Sequence, residues 1–228
     1  QESTVSKQQL AQDPENIWLG RASRLRLPAE TLRDQALAVS GLLNGTIGGP
    51  SVKPYQPAGL WKEIASQAYD QDSGEDLYRR GMYTFWKRTV PPPTMVTFDA
   101  SSREICVLSR SRTNTPLQAL ALLNEVSYVE AARNLAQQMI LKVPNDDDRL
   151  RWGWRQVTSR LPSEFEMSVL RKSLQRNRQR YAADLNGAEE LISFGESRAD
   201  ASIESHELAA FTVIASMLLN LDEVINRE

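Results

Sequence analysis

The 228-residue chain carries one histidine and one cysteine, and that scarcity decides most of the chemistry open to it. Closed transition-metal sites draw chiefly on imidazoles and thiolates, so neither a metal nor any other cofactor is expected. Without a Cys-x-x-Cys-His string, covalent haem attachment within the chain is not expected either. His206, between Glu204 and Glu207, reads as a surface residue at a helix start; the competing reading is a general acid/base or haem ligand. Cys106 lies between Ile105 and Val107, where a buried structural thiol is expected, although Arg103 and Arg110 would suit an activated one. Asp146-Asp147-Asp148 lacks the alternating ligands, glycine and closing glutamate of an EF-hand loop, and suits a helix start instead. Gly48-Gly49-Pro50 completes neither a dinucleotide fingerprint nor a P-loop, and no Gly-x-Ser-x-Gly elbow occurs. No catalytic residue is assigned.

One constellation is left. Residues 79–112 hold seven cations (Arg79, Arg80, Lys87, Arg88, Arg103, Arg110 and Arg112) against Asp99 and Glu104, a net charge of +5. Tyr83, Phe85 and Trp86 are interleaved with them. Such a segment can stack sugars or bases and grip an anionic group through Arg forks, which makes Arg79, Arg80, Trp86, Lys87, Arg88, Arg110 and Arg112 the candidate ligand-binding residues. The alternative places the aromatics in the core and pairs the arginines with carboxylates elsewhere in the fold. Asp99 within that stretch, and Asn114, Thr115 and Pro116 just after it, are candidate structural residues. Thr115 should cap a helix opened by Pro116, with Asn114 partly buried in the turn before it.

The elements that must position this segment are mainly helical. Asp13-Pro14-Glu15 predicts a helix to about Leu25. Another should open at Leu27-Pro28-Ala29-Glu30, run along the Leu32, Ala36, Val39, Leu43 stripe and end at Asn44-Gly45. Residues 44–59 and 67–76 read as loops. Strands are expected at Met82–Arg88 and Glu104–Ser109, and the prolines at 91–93 should keep their stretch extended. Thr115-Pro116-Leu117-Gln118 opens a helix to about Leu141, its first turns apolar nearly all round and so buried on most sides. Another helix follows Asn145 with the stripe Leu150, Trp154, Val157, Leu161. A capping box at Ser163 and Glu166 starts one of about 20 residues. Residues 184–202 read as a polar connector with a short helix. The final helix spans Glu204 to Asn220, its apolar run at 211–221 too short to cross a membrane. The fold class is therefore mainly α: residues 1–12 as an N-terminal remnant or linker, and 13–228 as a single helical domain with an irregular, partly extended basic insert at 79–112.

Charge balance argues against a nucleic-acid partner, since 27 basic residues face 29 acidic ones for a net −2. At 41% apolar and 25% charged the chain has the composition of a folded domain. Arginines outnumber lysines 21 to six, a bias that fits either source-genome composition or a surface built for planar contacts. The chain starts at Gln1 without a methionine or an apolar leader, so no signal peptide is expected within it.

Tyr78-Arg79-Arg80 followed by Tyr83-Thr84-Phe85-Trp86-Lys87-Arg88-Thr89-Val90-Pro91-Pro92-Pro93 resembles a planctomycete domain of unknown function. Phe98-Asp99-Ala100, Arg103-Glu104, Cys106 and Arg110-x-Arg112-Thr113-Asn114-Thr115-Pro116-Leu117-Gln118-Ala119-Leu120 continue the likeness. Upstream, Arg24 through Asp34, Ala38-Val39-Ser40-Gly41 and Gly48-Gly49-Pro50 also fit, and Leu219-Asn220-Leu221-Asp222-Glu223 resembles the family's ending. The likeness runs from about Asp13 to Glu223, loosest within 163–202, with Gly81 where a larger residue is common. It implies the C-terminal part of a larger exported protein that often carries a cytochrome-c-like module, and hence an extracytoplasmic location. No activity comes with the resemblance.

Three readings follow. The first is a non-catalytic helical interaction domain whose partners are other domains of its parent protein. The second is an anion- or glycan-binding module using 79–112. The third is an accessory part of an enzyme, completed by N-terminal domains of the parent.

Overall fold

The computed structural model describes residues 6–22, 25–64 and 68–227. Among those residues it is 55% helical with only a two-stranded sheet, a mainly α fold. In chain order the helices are α1 (Lys7–Gln12), α2 (Ala29–Val39), α3 (Leu60–Ile64), α4 (Pro93–Thr97), α5 (Pro116–Asn124), α6 (Val126–Lys142), α7 (Asp146–Thr158), α8 (Glu164–Ala183), α9 (Leu185–Ile192), α10 (Ser205–Leu219) and α11 (Asp222–Ile225). Short 3-10 turns occupy Gly74–Tyr78 and Gly81–Tyr83. Strand β1 (Leu25–Arg26) pairs antiparallel with β2 (Asn226–Arg227), Leu25 opposite Arg227 and Arg26 opposite Asn226.

The core is organised round α10, a helix apolar on nearly every face and therefore surrounded. Leu208, Ala209, Ala210, Phe211, Ile214, Ala215 and Leu218 are all fully buried, with α6, α7, α8 and α9 packed about them. Alanines at 131, 132 and 136 on α6 let that helix approach closely. On α7, Gly153 leaves no room for a methyl group: a Cβ there would stand 2.7 Å from Met139 Sδ and 3.2 Å from Leu218 Cδ1. Packing at that density leaves side chains little freedom to shift.

Several helix starts follow directly from local chemistry. Asn145 accepts from Asp148 N–H at 2.9 Å, while Ser163 and Glu166 cap each other reciprocally at 3.3 and 2.6 Å. Each arrangement satisfies N–H groups that the first helical turn cannot. At α5, Gln118 Oε1 accepts from Thr115 N–H at 3.1 Å, with Pro116 in the first helical position.

Elsewhere the structure departs from expectation. No helix follows Asp13: its carboxylate accepts from Ile17 and Trp18 N–H instead, and Asn16 and Leu19 adopt positive φ. The helix lies upstream in residues expected to be a linker, capped by Ser6 and without a buried residue. The far end of that expected helix touches residues 23 and 24, outside the described set, as do Arg24 of the family-like string and residue 67 of the second expected loop. Helix α2 stops at Val39 rather than Asn44, because Gly41 turns the chain at φ 74°. Met82–Arg88 makes single bridges, Thr84 with Val52 and Lys87 with Val90, since no neighbouring strand offers a ladder. Pro93 starts α4, where its missing N–H costs nothing. Glu104–Ser109 is exposed and irregular, so Cys106 is exposed rather than buried. The long helix from 116 breaks at Glu125, which ends α5 and caps α6 through Ser127 N–H. Leu161, 66% exposed, falls beyond the left-handed turn at Ser159 that closes α7.

Candidate functional site

The basic segment does not gather its cations into one cleft. Arg79 is buried, its guanidinium stacked 3.9 Å from the Tyr83 ring centre. It donates to the carbonyls of Pro50 at 2.8 Å, of Thr46 at 3.3 Å and of Gly48. It holds the glycine-rich loop in place. Arg80 pairs with Asp34 at 3.3 Å and Arg110 with Glu30 at 2.8 Å, two carboxylates one turn apart on α2. The ammonium of Lys87 sits 4.4 Å from the ring centre of buried Trp61. Trp86 donates to Ser102 O at 3.2 Å and carries the Arg103 guanidinium on its face. Arg88 and Arg112 are exposed. Much of the positive charge is thus used to pin irregular backbone and the α2 surface.

Gly81 explains how α2 comes so near. A Cβ on it would stand 3.0 Å from the backbone of Glu30, and its N–H donates to Asp34 Oδ1 at 2.5 Å.

Two further residues fasten this corner. Asp99, at φ 58°, accepts from Arg26 Nη2 at 2.6 Å, from Thr113 N–H at 2.8 Å and from Thr113 Oγ1 at 2.9 Å. Gln118 is buried and donates to Thr97 O at 2.9 Å and Thr113 Oγ1 at 3.0 Å. Asn114, expected to be partly buried, is exposed. The turn into α5 is secured by exposed Thr113, bonded to Asp99, and by buried Gln118, so Asn114 is left to solvent.

Around the Arg26–Asp99 pair lies a cavity of about 190 Å³ whose walls include Phe98, Ser109, Arg110, Ser111 and Arg112. Sequence reading missed Arg26, an unremarkable member of a two-residue strand. Only its buried charge marks it out: Nη2 reaches Asp99 and Phe98 O, while Nε and Nη1 have no hydrogen-bond partner.

The neighbouring surface is apolar. Helix α5 buries Gln118 and Leu122 but exposes Leu117 (60%), Leu120 (56%) and Leu123 (48%). Ile105, Val107 and Leu108, just before it, are exposed as well. This reverses the expectation of a helix buried on most sides: among the described residues α5 packs against α6, α4 and α10 on one face and leaves the other to solvent.

A second polar cluster lies deeper. Fully buried Glu130 accepts from Tyr78 Oη at 2.8 Å and from Ser197 N–H and Oγ at 2.7 and 2.6 Å. Arg133 donates to Ser197 O at 2.5 Å and lies 3.7 Å from Glu130. Burial, with Glu130 beside them, holds the Tyr55 hydroxyl well above the ordinary phenol range and raises that of Tyr78. His206 sits at the start of α10, 3.5 Å from Glu204. The three aspartates at 146–148 face arginines: Asp146 meets Arg178 at 2.5 Å, Asp147 meets Arg171 at 2.6 Å and Asp148 meets Arg151 at 3.5 Å. Among the described residues no group of three or more His, Cys, Asp or Glu is placed to hold a metal ion, and no helix is long and apolar enough to cross a membrane.

The molecule is thus a helical domain with a cation-rich corner locked by Asp99, Thr113 and Gln118. It belongs to the family described as "Protein of unknown function (DUF1553)", PSD1, whose profile matches residues 1–174. That match stops within α8, short of the likeness read as far as Glu223. No curated protein and no solved structure matches the chain.

Proposed function

We propose that this chain is a non-catalytic interaction domain that docks onto another domain of its own parent, a larger exported protein with a cytochrome-c-like module. The observation that carries the reading is the exposure of Leu117, Leu120 and Leu123 on a helix otherwise built like a core helix. Ile105, Val107 and Leu108, close before them in sequence, are exposed as well, so residues 105–123 leave six large apolar side chains to solvent, and exposed apolar surface of that kind marks interaction sites. Arg103, Arg110 and Arg112 lie in and beside the same stretch of sequence, so the complementary face is apolar with acidic residues at its edge. The parent's architecture and its extracytoplasmic location rest on the family-like strings alone.

The test is hydrogen exchange on the chain alone and within its full-length parent. Residues 105–123 become protected in the parent, and Leu117→Glu with Leu120→Glu removes that protection while leaving the melting temperature of the isolated chain unchanged. Equal exchange in both settings overturns the reading.

A further inference from the structure

The cavity beside Arg26 adjoins the proposed docking face, sharing Leu108, Arg110 and Arg112 with it, and has the makings of a binding site of a different chemistry. Arg26, Arg110 and Arg112 contribute to its walls, against Asp99 within it and Glu30 next to it. Asp99 is already occupied by Arg26 and by the backbone and hydroxyl of Thr113, so it has little acceptor capacity left. Arg110 spends a single nitrogen, Nη1, on both Glu30 oxygens. Arg112 is exposed and makes no hydrogen bond or ion pair to the described residues. Arg26 is 7% exposed, yet its Nε and Nη1 have no partner. Arg33, Arg79 and Arg133 also keep buried guanidinium nitrogens without a partner; of these four arginines Arg26 is the one that lines this cavity. The site therefore has a surplus of forked donors, a net positive charge and the hydroxyls of Ser109 and Ser111 within its walls.

We propose that this cavity binds one tetrahedral oxyanion, a phosphate or sulfate group, held by Arg26 and Arg112 with Arg110 closing one side. Guanidinium forks match two oxygens of such a group at once, which an ammonium cannot do. The volume of about 190 Å³ falls below that of pockets enclosing a whole small-molecule ligand, roughly 300–1,000 Å³. The site takes the charged group and leaves whatever it is esterified to outside, where Leu108 contributes an apolar wall. Free oxyanion and lipid-borne phosphate share this chemistry.

Calorimetry of the whole chain with sodium phosphate and with sodium sulfate, against chloride at matched ionic strength, provides the first arm. Sedimentation with phosphatidylcholine vesicles containing phosphatidic acid provides the second. Saturable binding of the free ions that weakens at least about tenfold in Arg112→Gln, and is unchanged in Arg176→Gln, supports the site with a free ligand. Binding of the vesicles alone, lost in Arg112→Gln, supports it with a lipid-borne one. Arg26→Lys, which keeps the charge facing Asp99, weakens either mode by a similar factor. A response that tracks ionic strength only, or one equally reduced by Arg176→Gln, overturns the proposal.

Discussion

Gly195 lies so close against Glu130 that a Cβ on the glycine would overlap the glutamate carboxylate. Gly195 also adopts φ 85°, and its loop supplies Ser197, which donates twice to that carboxylate. The loop 193–203 and helix α6 are thereby locked together through one buried acid.

Gly195→Ala must both relax a left-handed backbone and displace a buried charge. We expect destabilisation of about 2–4 kcal/mol, or some 4–15 °C in melting temperature for a chain of this size. Gly45→Ala, with nothing within 4 Å of its added Cβ, serves as the control and should move the melt little. Parallel thermal denaturation of the two variants is the measurement.

Glu130→Ala leaves Tyr78, Ser197 and Arg133 facing an unpaired interior. Removing one partner of such a buried set costs about 3–5 kcal/mol. A urea titration of Glu130→Ala, Arg133→Met and the double variant will show strong coupling, the double variant being less damaged than the sum of the singles. Additive losses would show that the two side chains act separately.

Asn114→Ala should change stability by no more than about 0.5 kcal/mol, as surface substitutions away from special features do. Gln118→Ala should cost about 2–3 kcal/mol, because Thr97 O and Thr113 lose a buried donor. Denaturant midpoints of the two variants, measured side by side, check the contrast.

The pH dependence has a definite sign. Arg160, bonded to Glu166 at 2.6 Å, draws the carboxyl from 4.5 down to about 2, with the Ser163 backbone and hydroxyl assisting. A folded value below the unfolded one gives stability that is present above about pH 5 and lost as pH falls towards 2. Arg160 also bridges to Glu223 at 2.6 Å, so the clamp joins the start of α8 to α11. Its exposure keeps the contribution to about 1 kcal/mol or less. Melts of wild type and Arg160→Gln should differ at pH 7 and converge near pH 2.

The helical frame was legible because its punctuation is local. Asn145 before three aspartates, Ser163 with Glu166, and Thr115-Pro116 with Gln118 announce helix starts through groups that satisfy nearby N–H donors. Burial is different, since it depends on what arrives from elsewhere. The leucines of α5 look like core residues in sequence, yet only Leu122 meets the rest of the fold there. Arg26 illustrates the converse: nothing local distinguishes it, and its place beside Asp99 arises from a contact between distant segments. Asp13-Pro14 misled for a related reason, because the same carboxylate that can cap a helix here closes a turn through Ile17 and Trp18 N–H.

The pairing of Leu25–Arg26 with Asn226–Arg227 has a kinetic consequence. It joins segments roughly 200 residues apart, so forming it early would incur the loop-closure cost of nearly the whole chain. Once the helices between have assembled, the two segments already lie side by side and the same pairing costs little. The strand pair is therefore expected to close after the helices, with Arg26, beside Asp99, reaching its final setting late in folding.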